Sequence, residues 1–350
     1  MKIEDISALV RPNIRELCPY STARDEFKGS IGVFLDANES PYPSGWNRYP
    51  DPRQSALREK LARLKGVNSA NIFAGNGSDE AIDLIFRIFC VPGKDNVVAI
   101  APSYGMYGVS ASINDIKVRE VLLNEDFSLP VNKILDACDS RTKAIFLCSP
   151  NNPSGNAFSN GEVFRILESF NGIVVVDEAY IDFCSVPSLV GSIDRYPNLV
   201  VFQTFSKAHG LAALRLGLAF SNPYIISLMM MVKYPYNINA STQKLALAAL
   251  DVPIDAQVAE IVAQRARIAA ALPQYSFVRK VYPSEANFIL VKVDDADRLY
   301  GHLIADRIIV RNRSKVVGCS NCLRFTIGLP EENDKLLKSL DDYEKGNIRR

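Results

Sequence analysis

Histidine is almost missing from this 350-residue chain, which carries only His209 and His302. Two imidazoles cannot build a histidine-rich metal centre, and they weaken any Ser-His-Asp reading. No excess of one charge is present either, since 40 Lys and Arg face 39 Asp and Glu. Without a basic tail or block, nucleic acid and membrane surfaces are poor partners. No apolar run is long enough to span a membrane, and Met1-Lys2-Ile3-Glu4-Asp5 shows no signal-peptide pattern. The expectation is a soluble, cytoplasmic protein. The seven cysteines are scattered and odd in number, which favours reduced thiols. Cys319 and Cys322 have redox or metal spacing, but no second such pair and no histidine cluster accompany them. The single tryptophan, Trp46, has no assignable role.

What is present is a recurring alternation. Strand-like runs occur at Asn96 to Ala101, Lys117 to Leu122, Ala144 to Cys148, Ile173 to Val176, Leu199 to Phe202 and Leu216 to Ala219. Several are apolar throughout, as strands buried on both faces of a parallel sheet should be. Helical segments intervene, for example Asn160 to Phe170, and a helix from Ser55 to Lys65 should end at Gly66. The pattern predicts a doubly wound α/β domain over residues 31–240, preceded by an N-terminal arm, 1–30. Beyond 240 the texture changes. An alanine-rich region, Ser241 to Ala271, is split by Pro253 into two helices, and strands are expected at Ala286 to Val293, Ile308 to Val310 and Cys322 to Gly328. Residues 241–350 therefore read as a smaller α+β domain.

Polar groups cluster at the ends of the apolar runs. Asp177 closes Val174-Val175-Val176, with Tyr180 three residues on. Lys207 follows Leu199 to Phe205 and Ser206, and Arg215 lies eight residues further. Asn152-Pro153-Ser154-Gly155 follows another run. In an open α/β sheet such ends face one crevice, where ligands bind. Gly75 to Glu80 opens a helix whose unpaired N–H groups form an anion site, with Ser78 adding a hydroxyl. An ordinary helix start capped by Ser78 or Asp79 is the plainer alternative. It is not the dinucleotide fingerprint, because Glu80 stands at the third glycine position. A buried Asp177 needs a partner, and a protonated pyridine nitrogen is one. A lysine near cations and apolar walls has a lowered pKa and forms Schiff bases. An arginine at position 215, just before an apolar run, is costly without an anion.

The ordered set Asn152-Pro153-Ser154-Gly155, Asp177-Glu178-Ala179-Tyr180 and Ser206-Lys207 through Arg215 resembles the fold-type I pyridoxal-phosphate aminotransferases. The resemblance runs over nearly the whole chain. It implies a large, mostly parallel seven-stranded sheet, pyridoxal 5'-phosphate as cofactor and a homodimer. It also implies roles. Lys207 bonds the cofactor aldehyde and then acts as general base. Asp177 pairs with the ring nitrogen, Asn152 and Tyr180 bond the ring oxygen, and Tyr104 stacks on the ring. The backbone amides of Ser78 and Asp79, with Ser206 and Arg215, hold the phosphate, and Tyr49 reaches it from the other subunit. Arg324, helped by Arg311 and Tyr20, binds the anionic end of the substrate, and Asn38 lines the entrance. Further segments, among them Asn47-Arg48-Tyr49-Pro50, Tyr104-Gly105-Met106-Tyr107 and Leu323-Arg324-Phe325-Thr326, imply histidinol phosphate and imidazole acetol phosphate, with glutamate and 2-oxoglutarate, as substrates. A threonine-phosphate decarboxylase and an aromatic amino-acid aminotransferase are the alternatives on the same scaffold. The departures are mild: Ser154 stands where threonine is common, Ala208-His209-Gly210 replaces a phenylalanine–glycine pair, and Ala213 replaces a frequent glycine.

Overall fold

The computed structural model describes residues 3–22 and 32–348; residues 23–30 of the expected arm lie outside them. A seven-stranded sheet comprises β1 (Ile72–Asn76), β2 (Asn96–Ala101), β3 (Lys117–Leu122), β4 (Thr142–Cys148), β5 (Ile173–Asp177), β6 (Leu199–Thr204) and β7 (Leu216–Phe220). Its spatial order is β1-β7-β6-β5-β4-β2-β3. The central strands are apolar throughout because each feeds two cores at once. Ile145, Leu147, Val174, Val176, Leu199 and Val201 pack on one face. Their chain neighbours Ala144, Phe146, Ile173, Val175, Val200 and Phe202 pack on the other.

Strand direction determines where the chemistry gathers. β2, β3, β4, β5 and β6 pair in parallel. Only β7 runs the other way, antiparallel to both β6 and β1. The C-terminal ends of β1, β2, β4, β5 and β6 and the N-terminal end of β7 thus share one edge. Helix Gly77–Phe89 starts there and packs against β7. A Cβ on Gly217 would lie 2.1 Å from the Ser78 amide nitrogen, so this close approach requires a glycine.

The smaller sheet is antiparallel, in the order β10-β11-β9-β8: β8 (Val278–Val281), β9 (Phe288–Val293), β10 (Arg311–Asn312) and β11 (Cys322–Thr326). Helices Asp255–Ala271, Ala296–Ala305 and Pro330–Ile348 complete a separate core around Ile289, Val291, Leu323 and Phe325. Helix Ala240–Ala249 instead packs on Ser55–Lys65, and the Lys60 ammonium donates to the Leu247 carbonyl at 2.8 Å. The break around Pro253 separates Ala240–Ala249 from Asp255–Ala271. Ser55–Lys65 does end at Gly66, whose φ of 67° suits glycine.

Two expectations need correction. The apolar Ile308 to Val310 do not form a strand; the strand is Arg311–Asn312. Ile308 donates its N–H back to Leu303 at 2.8 Å, closing the helix before it, and both apolar side chains serve the small core. β8 was not anticipated, because its four residues Val-Arg-Lys-Val are only partly buried. Among the described residues no helix is long and apolar enough to cross a membrane.

Candidate active site

At the shared edge a cavity of about 150 Å³ is lined by Ser78, Asp79, Tyr104, Asn152, Asp177, Tyr180, Ser206, Lys207 and Arg215, together with Cys148, Ala179, Thr204 and Ala212. Nine residues singled out from sequence therefore converge. Each arrives for a local reason. Asp177 is the last residue of β5 and is buried. Lys207 follows β6 in a tight turn, where Thr204 Oγ1 accepts the Ser206 N–H at 3.1 Å and Gly210 donates to the Lys207 carbonyl at 3.0 Å. Neither Ser78 nor Asp79 caps the helix. Both lie in its first turn, where backbone N–H groups lack helical acceptors.

The electrostatics separate two neighbouring carboxylates. Glu178 is fully served by neutral donors: Leu189 N–H at 2.7 Å, Ser188 Oγ at 2.6 Å and Gln203 Nε2 at 2.9 Å. Asp177 opens into the cavity and, among the described residues, receives only Tyr107 Oη at 2.8 Å and Ala179 N–H at 3.1 Å. Burial raises its carboxyl to about 6 against these two bonds. Among the described residues it forms no ion pair, so a cation placed in the cavity would relieve it. Lys207 lines the cavity and is exposed, yet neighbouring protein still takes part of its hydration away. That burial lowers its pKa, and Arg324 and Arg215 lower it further, while Asp177 and Asp79 oppose them. Its ammonium lies 5.5 Å from the centre of the Tyr180 ring.

Arg215 sits at φ 50°, a left-handed conformation, immediately before β7. Its carbonyl accepts the Gly77 N–H at 2.6 Å, and its guanidinium meets Asp79 at 3.3 Å. The side chain is 53% exposed, so the expectation that burial alone demands an anion there does not hold. Tyr104 donates to Asp79 at 3.0 Å, which ties the ring to the same pair.

Arg324 reaches across from β11 and donates to Asn152 Oδ1. It lies over Phe288, 5.0 Å from the ring centre. Burial, then Arg313 and Arg311, lower its pKa to about 10, against Tyr180. Among the described residues the Nε groups of both Arg313 and Arg324 are buried without a hydrogen-bond partner. Two orphaned cationic donors near each other suit an anionic ligand. Arg311 is exposed and stands opposite Arg324 in the β10–β11 register.

Arg311 and Arg324 do not line the cavity themselves, although Arg324 bonds Asn152 at its wall, and the remaining expected residues lie away from it in the single chain. Tyr20 is 75% exposed and lines a different cleft, near Arg53 and Met230. Asn38 and Tyr49 share another cleft with Trp46, where Tyr49 stacks on Tyr236 at 4.4 Å. Conversely, sequence reasoning assigned no role to Tyr107, Arg313 or Asn151. Asn151 is fully buried and shapes its loop by donating to the Pro102 carbonyl at 3.0 Å and Ser154 Oγ at 2.7 Å. Tyr107, three residues past Tyr104 on a helical spacing, was the most findable of the three.

The residues fit pyridoxal 5'-phosphate by their donor set. A buried, unpaired carboxylate awaits a pyridinium, an amine stands nearby, and a helix N-terminus with a guanidinium suits a phosphate. A doubly wound sheet with this constellation at its carboxyl edge defines a class of enzyme, and the class is shown directly. Residues 33–340 match the family model for aminotransferase class I and II, and the chain belongs to that family. Within it, the chain is 52% identical over 344 residues to the histidinol-phosphate aminotransferase of Parabacteroides distasonis, covering 98% of this chain and 100% of that one. Solved structures agree in fold. The histidinol-phosphate aminotransferase from Clostridium acetobutylicum superposes with a TM-score of 0.80 at 24% identity, over 86% of this chain and 92% of that one. The enzyme of that name from Sinorhizobium meliloti, in complex with pyridoxal-5'-phosphate, gives 0.78 at 24% identity, over 85% and 83%.

Proposed function

We propose that this chain is a histidinol-phosphate aminotransferase, moving an amino group between histidinol phosphate and 2-oxoglutarate with pyridoxal 5'-phosphate. The observation that carries the reading is the opening of the Lys207 amine and the unpaired Asp177 carboxylate into one cavity. The chain's full-length similarity to a relative of that name supports the substrate. When bound, the cofactor supplies the electron sink that acidifies the substrate Cα–H bond.

The protein's own part is to bind, orient and move a proton. Asp177 pairs with the ring nitrogen, Tyr104 stacks on the ring, and Asn152 and Tyr180 bond its oxygen. The first-turn amides of Ser78 and Asp79, with Ser206 and Arg215, hold the phosphate. Lys207 would hold the cofactor's aldehyde. Its Nζ would take the proton from the substrate carbon as general base, a task that its lowered pKa suits. Arg324 takes the anionic end of either substrate, with Arg311 and Tyr20 assisting and Asn38 at the entrance. A homodimer brings Tyr49 to the phosphate of the partner's site.

Reducing the loaded protein with borohydride and mapping the labelled peptide tests the anchor; label on any lysine other than Lys207 overturns it. Incubation with histidinol phosphate and 2-oxoglutarate should yield glutamate. Carbon dioxide from threonine phosphate would favour a decarboxylase instead, and faster turnover of aromatic amino acids would favour an aromatic aminotransferase.

A further inference from the structure

Tyr107 is fully enclosed and stacks on Phe146, with ring centres 5.1 Å apart. Its hydroxyl is the only side-chain donor that Asp177 has among the described residues, at 2.8 Å. Its ring also meets Tyr104 edge-on, with centres 5.7 Å apart and planes at 86°. One phenol therefore touches both the carboxylate at the cavity floor and the aromatic side chain above it. Burial first, then Asp177 and Cys148, raise the phenol's own pKa well above its usual value. The O–H thus stays neutral and can only donate to an ionised carboxylate.

We infer that Tyr107 is a positioning residue: by donating to Asp177 Oδ2 it keeps the carboxylate ionised and aimed at the ring nitrogen of the cofactor, and its edge contact sets the tilt of Tyr104. The role rests on the proposed cofactor reading. The contact is favourable because a hydrogen bond to the charged form opposes the burial that would protonate it. Other charged or titratable groups acting on Asp177 are Asp79 and Lys207, while Cys148, Tyr104 and Tyr180 feel its charge in turn. Among these, Lys207 favours the ionised form and Asp79 opposes it. Tyr107 acts by a direct bond, and it does so before any cofactor is bound.

The test is Tyr107→Phe, which removes the O–H and keeps the ring. Infrared difference titration of the cofactor-free protein, with Asp177→Asn subtracted to assign the band, follows protonation of the Asp177 carboxyl. The wild-type midpoint is expected near 6, and in Tyr107→Phe it should rise by about one pH unit. Pyridoxal 5'-phosphate affinity should fall by roughly fivefold at pH 6 in Tyr107→Phe, where the shifted carboxyl is mostly protonated, and stay unchanged when the same substitution is made in Asp177→Asn. An unshifted midpoint, or an equal loss of affinity in both backgrounds, overturns the role. If Tyr107→Phe does not fold, 3-fluorotyrosine introduced at position 107 strengthens the donor and should move the midpoint down; no movement overturns it equally. Failure of the wild type to bind pyridoxal 5'-phosphate would overturn the functional reading and this role with it. Binding with an unmoved midpoint overturns only Tyr107.

Discussion

The floor and the rim of the candidate site are built differently. The floor is made by strand ends: Asp177 on β5, Ser206 and Lys207 after β6, and Arg215 before β7. Its positions are dictated by runs of valine, leucine and phenylalanine that lock the sheet between two cores. The rim is assigned to Tyr20, Asn38 and Tyr49, which stand in exposed segments and line clefts of their own. A packed sheet places a side chain firmly. An exposed segment places it only when something else lies against it, and a second copy of the chain is the proposed occupant.

Substitutions can break or sharpen this contrast. The largest effect is expected at the floor: Lys207→Ala should lower kcat for glutamate formation by at least about 10³-fold, since it removes both anchor and base. Between floor and rim, Arg324→Ala should cost about 2–4 kcal/mol in kcat/KM for both histidinol phosphate and glutamate. Unchanged values for both would reject its role.

Asp177→Asn separates stability from chemistry. Its folded carboxyl lies at about 6 against an ordinary 3.8. Between those values the folded chain binds the extra proton, so this group's contribution to stability falls as pH climbs from about 4 through 6. At neutral pH the cofactor-free Asp177→Asn protein should therefore be more stable by up to about 3 kcal/mol in urea unfolding, while being far less active. The gain should vanish below about pH 4. Equal stability at pH 7 would show that the buried charge is better solvated than its two bonds imply.

The smallest effect belongs to the rim. Tyr49→Phe should weaken pyridoxal 5'-phosphate binding by about 1 kcal/mol, the worth of one hydrogen bond. The loss should appear only at protein concentrations where a dimer forms, as read by light scattering alongside a binding titration.

The floor was legible in the sequence because strand ends are marked by where an apolar run stops, and direction alone carries those ends to one edge. Lys207, Asp177 and Arg215 needed no knowledge of distant contacts. Tyr107 did: it bonds Asp177 across 70 residues of chain, a pairing that no local pattern encodes. Arg313 was hidden because the expected strand was placed three residues too early, on Ile308 to Val310. Of those residues Ile308 and Val310 pack on the small core, with no ladder partner to satisfy, while Ile309 is exposed. The argument from Arg215's burial failed for a related reason. An apolar run begins right after it, but the turn itself lies at the surface.

Arg215 also bears on any effort to harden this protein. Its backbone conformation suits glycine or asparagine, and either would relax the turn. A screen that rewards heat resistance alone would drift toward those residues and discard the guanidinium that faces Asp79. Variants enriched at position 215 should thus survive higher temperatures while losing their hold on an anion, and only a screen that also scores ligand retention would keep the arginine.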